Sequence, residues 1–150
     1  MTEKIPIGGT AFITAPPPHG FGMRYQHDAE GKVSGVIRLD ESKQGPPGHV
    51  HGGALIALLD EAMGAACWVR GYRAVAANLQ FDLIRGVPLA TDITVSGAVE
   101  NKQGRKVYAV CEITLPDGTV AVKGRGLFIE APDYVGGKNG FNPFVPVDDA

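Results

Sequence analysis

The sequence predicts an α+β fold in which an antiparallel β-sheet curls around one long central helix. Three observations lead there. Residues 52–69 read GGALIALLDEAMGAACWV, small or apolar at all but two positions, and a helix apolar around most of its circumference expects cover on most sides. Four strand-length segments separated by RGVPLAT, KQGR and PDG, the last a tight hairpin signal, follow it, so the cover available is sheet. At 150 residues and 44% apolar composition, the chain has material for one domain with one core.

In chain order, residues 1–20 contain TAPPPHG and read as an irregular arm. GMRYQH and VSGVIRL then flank DAEGK, a hairpin whose turn carries Asp28 and Gly31. ESKQGPPG at 41–48 is a strong breaker. The helix is expected to start near His51–Gly53 and run to about Val69, with Gly71 as its C-terminal stop. Leu55, Leu58, Leu59, Ala62, Ala66 and Val69 recur at helical spacing and form the face that meets a sheet. Strands are expected over 74–84, 92–101, 106–115 and 119–129, separated by RGVPLAT, KQGR and PDG. The Pro-, Gly-, Asn- and Asp-rich end reads as a loose tail in which Phe141, Phe144 and Val145 are the residues able to dock. The expected division is an arm over 1–20, the folded domain over 21–131 and the tail over 132–150.

Charge and composition exclude several classes. A net charge of −2 without a basic run argues against nucleic acid as main partner. Cys67 and Cys111 sit in apolar runs, as buried free thiols do. With no charged-then-apolar leader and no uncharged 18-residue apolar span, the expectation is a cytoplasmic protein without a membrane span.

The chemistry-bearing feature is the adjacent pair Asp60–Glu61. Between Gly52 and Ala66 there is no Lys, Arg, Ser, Thr, Asn or Gln for the pair to share a polar face with. Either the pair turns to water, or the helix carries a carboxylate into a site. Asp60 lies on the helical line Ile56–Asp60–Gly64, and Glu61 about 100° away on the line Ala57–Glu61–Ala65. Gly52 and Gly53 at the helix start permit either a sharp entry or close approach of a ligand to bare N–H groups at the positive end of the dipole. An oxygen that becomes negative during a reaction could bind there. From either glycine to Asp60 is on the order of 10–12 Å along the axis, too far for both to serve one reacting centre. If they act together, two copies must supply them. The expectation is a two-fold dimer with Gly53 of one subunit opposite Asp60 of the other.

These residues resemble the hotdog-fold acyl-CoA thioesterases, in particular the phenylacetate-type and 4-hydroxybenzoyl-CoA thioesterase-like group. The motifs that carry the likeness are His51-Gly52-Gly53 with Asp60 nine residues after the histidine, Ala77-Asn78-Leu79 in the next strand, KQGRK, and DGTVAVKGRGLFI. The resemblance implies a hotdog fold, homodimers often paired into homotetramers, and hydrolysis of the thioester of an acyl- or aryl-acyl-CoA. It implies no cofactor and no metal, with coenzyme A only as part of the substrate. Asp60 takes the position of the acid, as general base on water or as nucleophile, with Glu61 a second candidate. Gly53 or Gly52 donates its N–H to the thioester oxygen, and His51 shapes that corner. Asn78 and Ala76 fall at substrate-contacting positions. Lys102, Arg105 and Lys106 match the region for the nucleotide end of coenzyme A, where positive charge suits phosphates; the alternative is a solvated hairpin.

Two positions depart from the group's pattern. Ala76 stands where many relatives carry Ser or Thr, and Gly45 where some carry Asn or Gln, with Gln44 or His49 as possible substitutes. Ala76 favours a second reading, an acyl-CoA-binding protein with weak hydrolysis or none. A third, hydration of an enoyl thioester, wants a histidine beside the acid, and His51 lies half a helix away. For the acyl pocket, Met63, Trp68, Phe81 and Leu83 are the candidates.

Overall fold

The structure, a computed structural model, describes residues 3–133 and 140–148. Strand β1 (Ile5–Ile7) and a single helical turn α1 (Ala11–Thr14) precede a hairpin of β2 (Tyr25–His27) and β3 (Val33–Ile37). After a 3₁₀ turn at Glu41–Lys43 comes the long helix α2 (Gly52–Val69), then β4 (Ala74–Leu83), β5 (Ile93–Gln103), β6 (Lys106–Thr114) and β7 (Val120–Glu130). All seven strands join one antiparallel sheet in the order β1-β2-β3-β5-β6-β7-β4. It does not close, and β4 forms one end of it.

The helix sits where its composition requires. It packs against β2 through β7, and ten of its 18 residues are buried, including Leu55, Leu58, Leu59, Ala62 and Ala66. By length and mean hydropathy (1.4) α2 could cross a membrane, yet here it is the core helix under the sheet. Leu58 and Leu59 are fully enclosed, so truncating either to Ala would cost ~2–5 kcal/mol. The helix lies directly on β5 at Gly97, where an added Cβ would stand 2.7 Å from the Ala62 carbonyl carbon. Gly71, at φ +87°, ends it: its N–H and that of Tyr72 close on Trp68 and Cys67. Cys67 and Cys111 are free and buried, and burial pushes both thiols up to about 12.

The two chain ends differ from the irregular arm and loose tail that their composition suggests. The arm contributes β1 to the sheet edge and α1 to the side of α2, with Ile7 and Ile13 buried. The described part of the tail, residues 140–148, docks beside β1: the Gly8 N–H donates to the Val145 carbonyl and the Val147 N–H to the Pro6 carbonyl. Phe141 and Phe144 stand against Trp68 with ring centroids 5.9 and 6.1 Å away. The apolar residues in these Pro- and Gly-rich segments find long-range partners that no local pattern announces. Residues 134–139 and 149–150 of the expected tail lie outside the described residues.

Candidate active site

The site begins at the start of α2. His51 is the N-cap, in extended backbone, and its Nδ1 accepts the Gly53 N–H at 2.8 Å. The His51 carbonyl accepts the Ala54 and Leu55 N–H groups. Of the four donors a helix leaves open at this end, only the Gly52 N–H has no acceptor among the described residues. A neutral His51 that accepts at Nδ1 carries its proton on Nε2. Its ring stands between two glycines: a Cβ at Gly45 would come 2.8 Å from His51 Cα, and one at Gly53 3.1 Å from Nδ1. The departure at Gly45 therefore has a steric cause. Gln44 and His49 are engaged within the breaker loop, the Gln44 Oε1 by the Gly48 N–H (2.8 Å) and the His49 Nδ1 at the Pro47 carbonyl (3.1 Å).

The two acids are treated differently. Asp60 is half-buried, no group among the described residues hydrogen-bonds its carboxylate, and desolvation alone raises its pKa above the usual carboxylate range. Glu61, equally half-buried, accepts the Thr10 N–H at 2.7 Å and the Thr10 hydroxyl at 3.0 Å. Burial still raises the Glu61 pKa, with the two Thr10 bonds opposing it and the Asp60 charge adding to it. Glu61 thus ties the arm to α2, a partnership at a separation of 51 residues.

Asp60 shares its helical line with Ile56 and Gly64, Gly52 lies two turns back on the adjoining side, and this side of α2 runs along β4. At one end a Cβ on Gly52 would stand 3.3 Å from Leu83 Cδ1. At the other, one on Gly64 would stand 3.8 Å from Phe128 Cε2, and Phe128 pairs with Ala76. Helix and edge strand are therefore antiparallel, with Asp60 between their ends. Ala76 and Asn78 are exposed on β4, and the register against β7 shifts between them. Asn78 comes opposite Leu127 and lines a cavity of about 490 Å³ with Gln80, Tyr108 and Arg125.

The basic cluster lies at the opposite end of α2 from the glycines. The Lys102 Nζ bonds Glu130 at 2.8 Å and the Gly104 carbonyl at 2.7 Å, and stands 5.1 Å from the centre of the Tyr72 ring, just past the helix. Arg105 Nε donates to the Glu130 carbonyl at 3.1 Å, and Lys106 is exposed. The length of α2, ~26 Å, separates this end from Gly52, so one chain does not bring the two together. Lys102 is neutralised by a residue 28 positions away, which sequence spacing did not signal. Of the pocket candidates, Met63 is fully enclosed and Trp68 donates to the Ala74 carbonyl beneath the tail. Phe81 is half-buried and Leu83 exposed on β4.

A long acid-bearing helix laid on an antiparallel sheet can be compared with known proteins. The acyl-coenzyme A thioesterase THEM4 of Bos taurus is 32% identical over 134 residues, covering 87% of this chain and 55% of that protein. The chain spans about half the length of the curated relatives it matches. Among solved structures, a thioesterase superfamily protein is 34% identical with a TM-score of 0.74, covering 78% of this chain and 58% of that one. The E. coli PaaI protein from the phenylacetic acid degradation operon shares the fold at 22% identity, with a TM-score of 0.69 over 74% of this chain and 80% of its own. The fold is the hotdog fold that the motifs imply. Residues 47–122, just over half of the chain and including His51, Gly52, Gly53, Asp60 and Asn78, match the model of one family, and on that match the chain belongs to the thioesterase superfamily.

Proposed function

We propose that this protein hydrolyses the thioester of an acyl- or aryl-acyl-CoA to the free acid and coenzyme A. The observation that carries the reading is the half-buried Asp60 carboxylate, unpartnered among the described residues, on a helix whose start leaves one N–H, that of Gly52, without an acceptor among them. Asp60 deprotonates a water, or attacks directly, while the Gly52 N–H at the positive helix end receives the charge that grows on the carbonyl oxygen. The thiolate leaves without further help, so a carboxylate and a polarised carbonyl suffice and the reaction calls for no cofactor or metal. His51 positions this corner by holding Gly53, which leaves Gly52 as the donor. Glu61, occupied by Thr10, serves as the tie to the arm. The acyl-coenzyme A thioesterase relatives support the substrate class.

Gly52 and Asp60 of one chain are ~12 Å apart along the axis, so each site is shared by two subunits of a homodimer, the helices antiparallel. The ten-residue edge strand β4, mostly exposed and paired on one side with β7, supports this contact. In that arrangement the hairpin of Lys106 and Arg105 reaches the partner's helix start and meets the nucleotide phosphates, and dimers pair into tetramers. The exposed Ala76 favours the second reading, a protein that holds acyl-CoA without turnover.

Release of free thiol from a panel of acyl-CoAs tests both. Hydrolysis is expected, falling ~10²–10⁴-fold in Asp60→Asn. Tight binding with no thiol release would overturn catalysis in favour of the binding protein.

A further inference from the structure

We propose, on the thioesterase reading above, that Lys43 is a positioning residue for the helix-start corner: it ties the loop that carries His51 to the N-terminal arm and so keeps the Gly52 N–H aimed. The loop itself is open. Of residues 41–49 only Lys43 is half-buried, and the rest are exposed. The outer limb of the loop is pinned to the segment before β5, by the Val50 N–H on the Val87 carbonyl and the Leu89 N–H on the Gly48 carbonyl. The inner limb depends on Lys43, which works in two directions. Its carbonyl accepts the His51 N–H at 2.8 Å, closing the base of the loop at the N-cap. Its ammonium reaches back to the arm, 5.0 Å from the centre of the Phe21 ring and 3.3 Å from the Pro18 carbonyl. The neighbouring Ser42 hydroxyl lies at 3.3 Å, and Lys43 makes no ion pair among the described residues. A ring face and a carbonyl are its socket.

That socket is firm. Phe21 is 5% exposed, and its N–H and that of Met23 both donate to the Ile13 carbonyl. Phe12 stands edge-on to its ring at 5.6 Å. Farther back, Thr10 fixes the arm to Glu61 and β1 joins it to the sheet. One segment therefore holds α2 at its middle directly and at its start through Lys43. The start has little tolerance. His51 Nδ1 holds the Gly53 N–H at 2.8 Å, and Gly45 passes so close that a Cβ there would stand 2.8 Å from His51 Cα. Moving the Lys43 carbonyl moves the cap, and a donor displaced by ~1 Å loses much of its hold on a developing charge. Such a loss falls on the transition state, so it lowers kcat and leaves KM in place.

The test compares Lys43→Met, which keeps the stem and removes the cation, with Lys43→Arg, which restores a cation to the ring. In Lys43→Met the Gly53 amide should exchange with solvent about tenfold faster, and kcat for acyl-CoA per folded molecule should fall about tenfold with KM within about twofold. Lys43→Arg should return both readouts to within about threefold of wild type. Phe21→Leu removes the socket and should act in the same direction, and adding it to Lys43→Met should cost little more, as for two halves of one contact. Unchanged Gly53 exchange in Lys43→Met overturns the proposal. So does a raised KM with kcat held, which would make Lys43 a contact for the phosphates of the ligand. The two readings fail separately. Faster Gly53 exchange in a protein that releases no thiol sinks hydrolysis and keeps the tether, whereas thiol release equal in wild type and Lys43→Met does the reverse.

Discussion

Asp60 and Glu61 are neighbours in sequence and look onto two different surfaces of the same helix. On the Glu61 side the arm has folded down, and Thr10 supplies a backbone and a hydroxyl donor to the carboxylate. On the Asp60 side the helix faces the open edge strand β4, and the carboxylate is desolvated with no donor among the described residues to compensate. Both acids are half-buried, so burial alone does not separate them; hydrogen bonding does. The Thr10 bonds offset part of the desolvation of Glu61 and hold it in place, while Asp60 bears that cost without a donor among the described residues and is available for chemistry.

The sharpest way to break this comparison is to remove the donor that the proposed site pairs with Asp60 and leave the helix intact. Gly52 is the first helical residue, where proline is tolerated and lacks only the N–H. Gly52→Pro should lower kcat ~10²-fold with little loss of helix by circular dichroism. Mixed with Asp60→Ala subunits it should recover part of the activity through hybrid interfaces. No rescue would count against shared sites.

Next in size is an effect of opposite sign on stability. Because the folded pKa of Asp60 lies above its unfolded value, ionisation is disfavoured in the native state. This cost is absent below the ordinary carboxylate range, builds as pH rises through it, and is complete above the raised folded value. Asp60→Asn should therefore raise Tm by a few degrees at neutral pH, with the gain vanishing in acid. The acid limb of the wild-type rate profile should lie above the usual carboxylate range. A lower Tm at neutral pH would mean that Asp60 has a stabilising partner.

The smallest effect belongs to the Glu61 side. Thr10→Val keeps the backbone donor and removes the hydroxyl, so denaturant melts should show a loss of about 1 kcal/mol with thiol release unchanged per folded molecule. A large fall in turnover instead would make Glu61 part of the chemistry.

Much of this was legible in the residues. The apolar run over 52–69 required a covered helix, and the four later strands end within two residues of where they were expected. The paired acids on a helix without other polar residues marked the region where the site is proposed. The partners of these residues were not legible. Glu130 for Lys102, Thr10 for Glu61, and Phe141 and Phe144 for Trp68 lie 28 to 76 positions apart, and no periodicity links such distances. Nor did spacing reveal that His51 holds the Gly53 N–H, because that depends on a side-chain rotamer.

By itself the sequence determined the class of fold, the helix and its acid pair, since each follows from local pattern and composition. Only the tertiary structure decided which acid is free, which glycine keeps its donor, and which of the basic residues is already neutralised. Those outcomes turn on where buried polar groups find partners across the chain, and that choice is made by packing after the elements have formed.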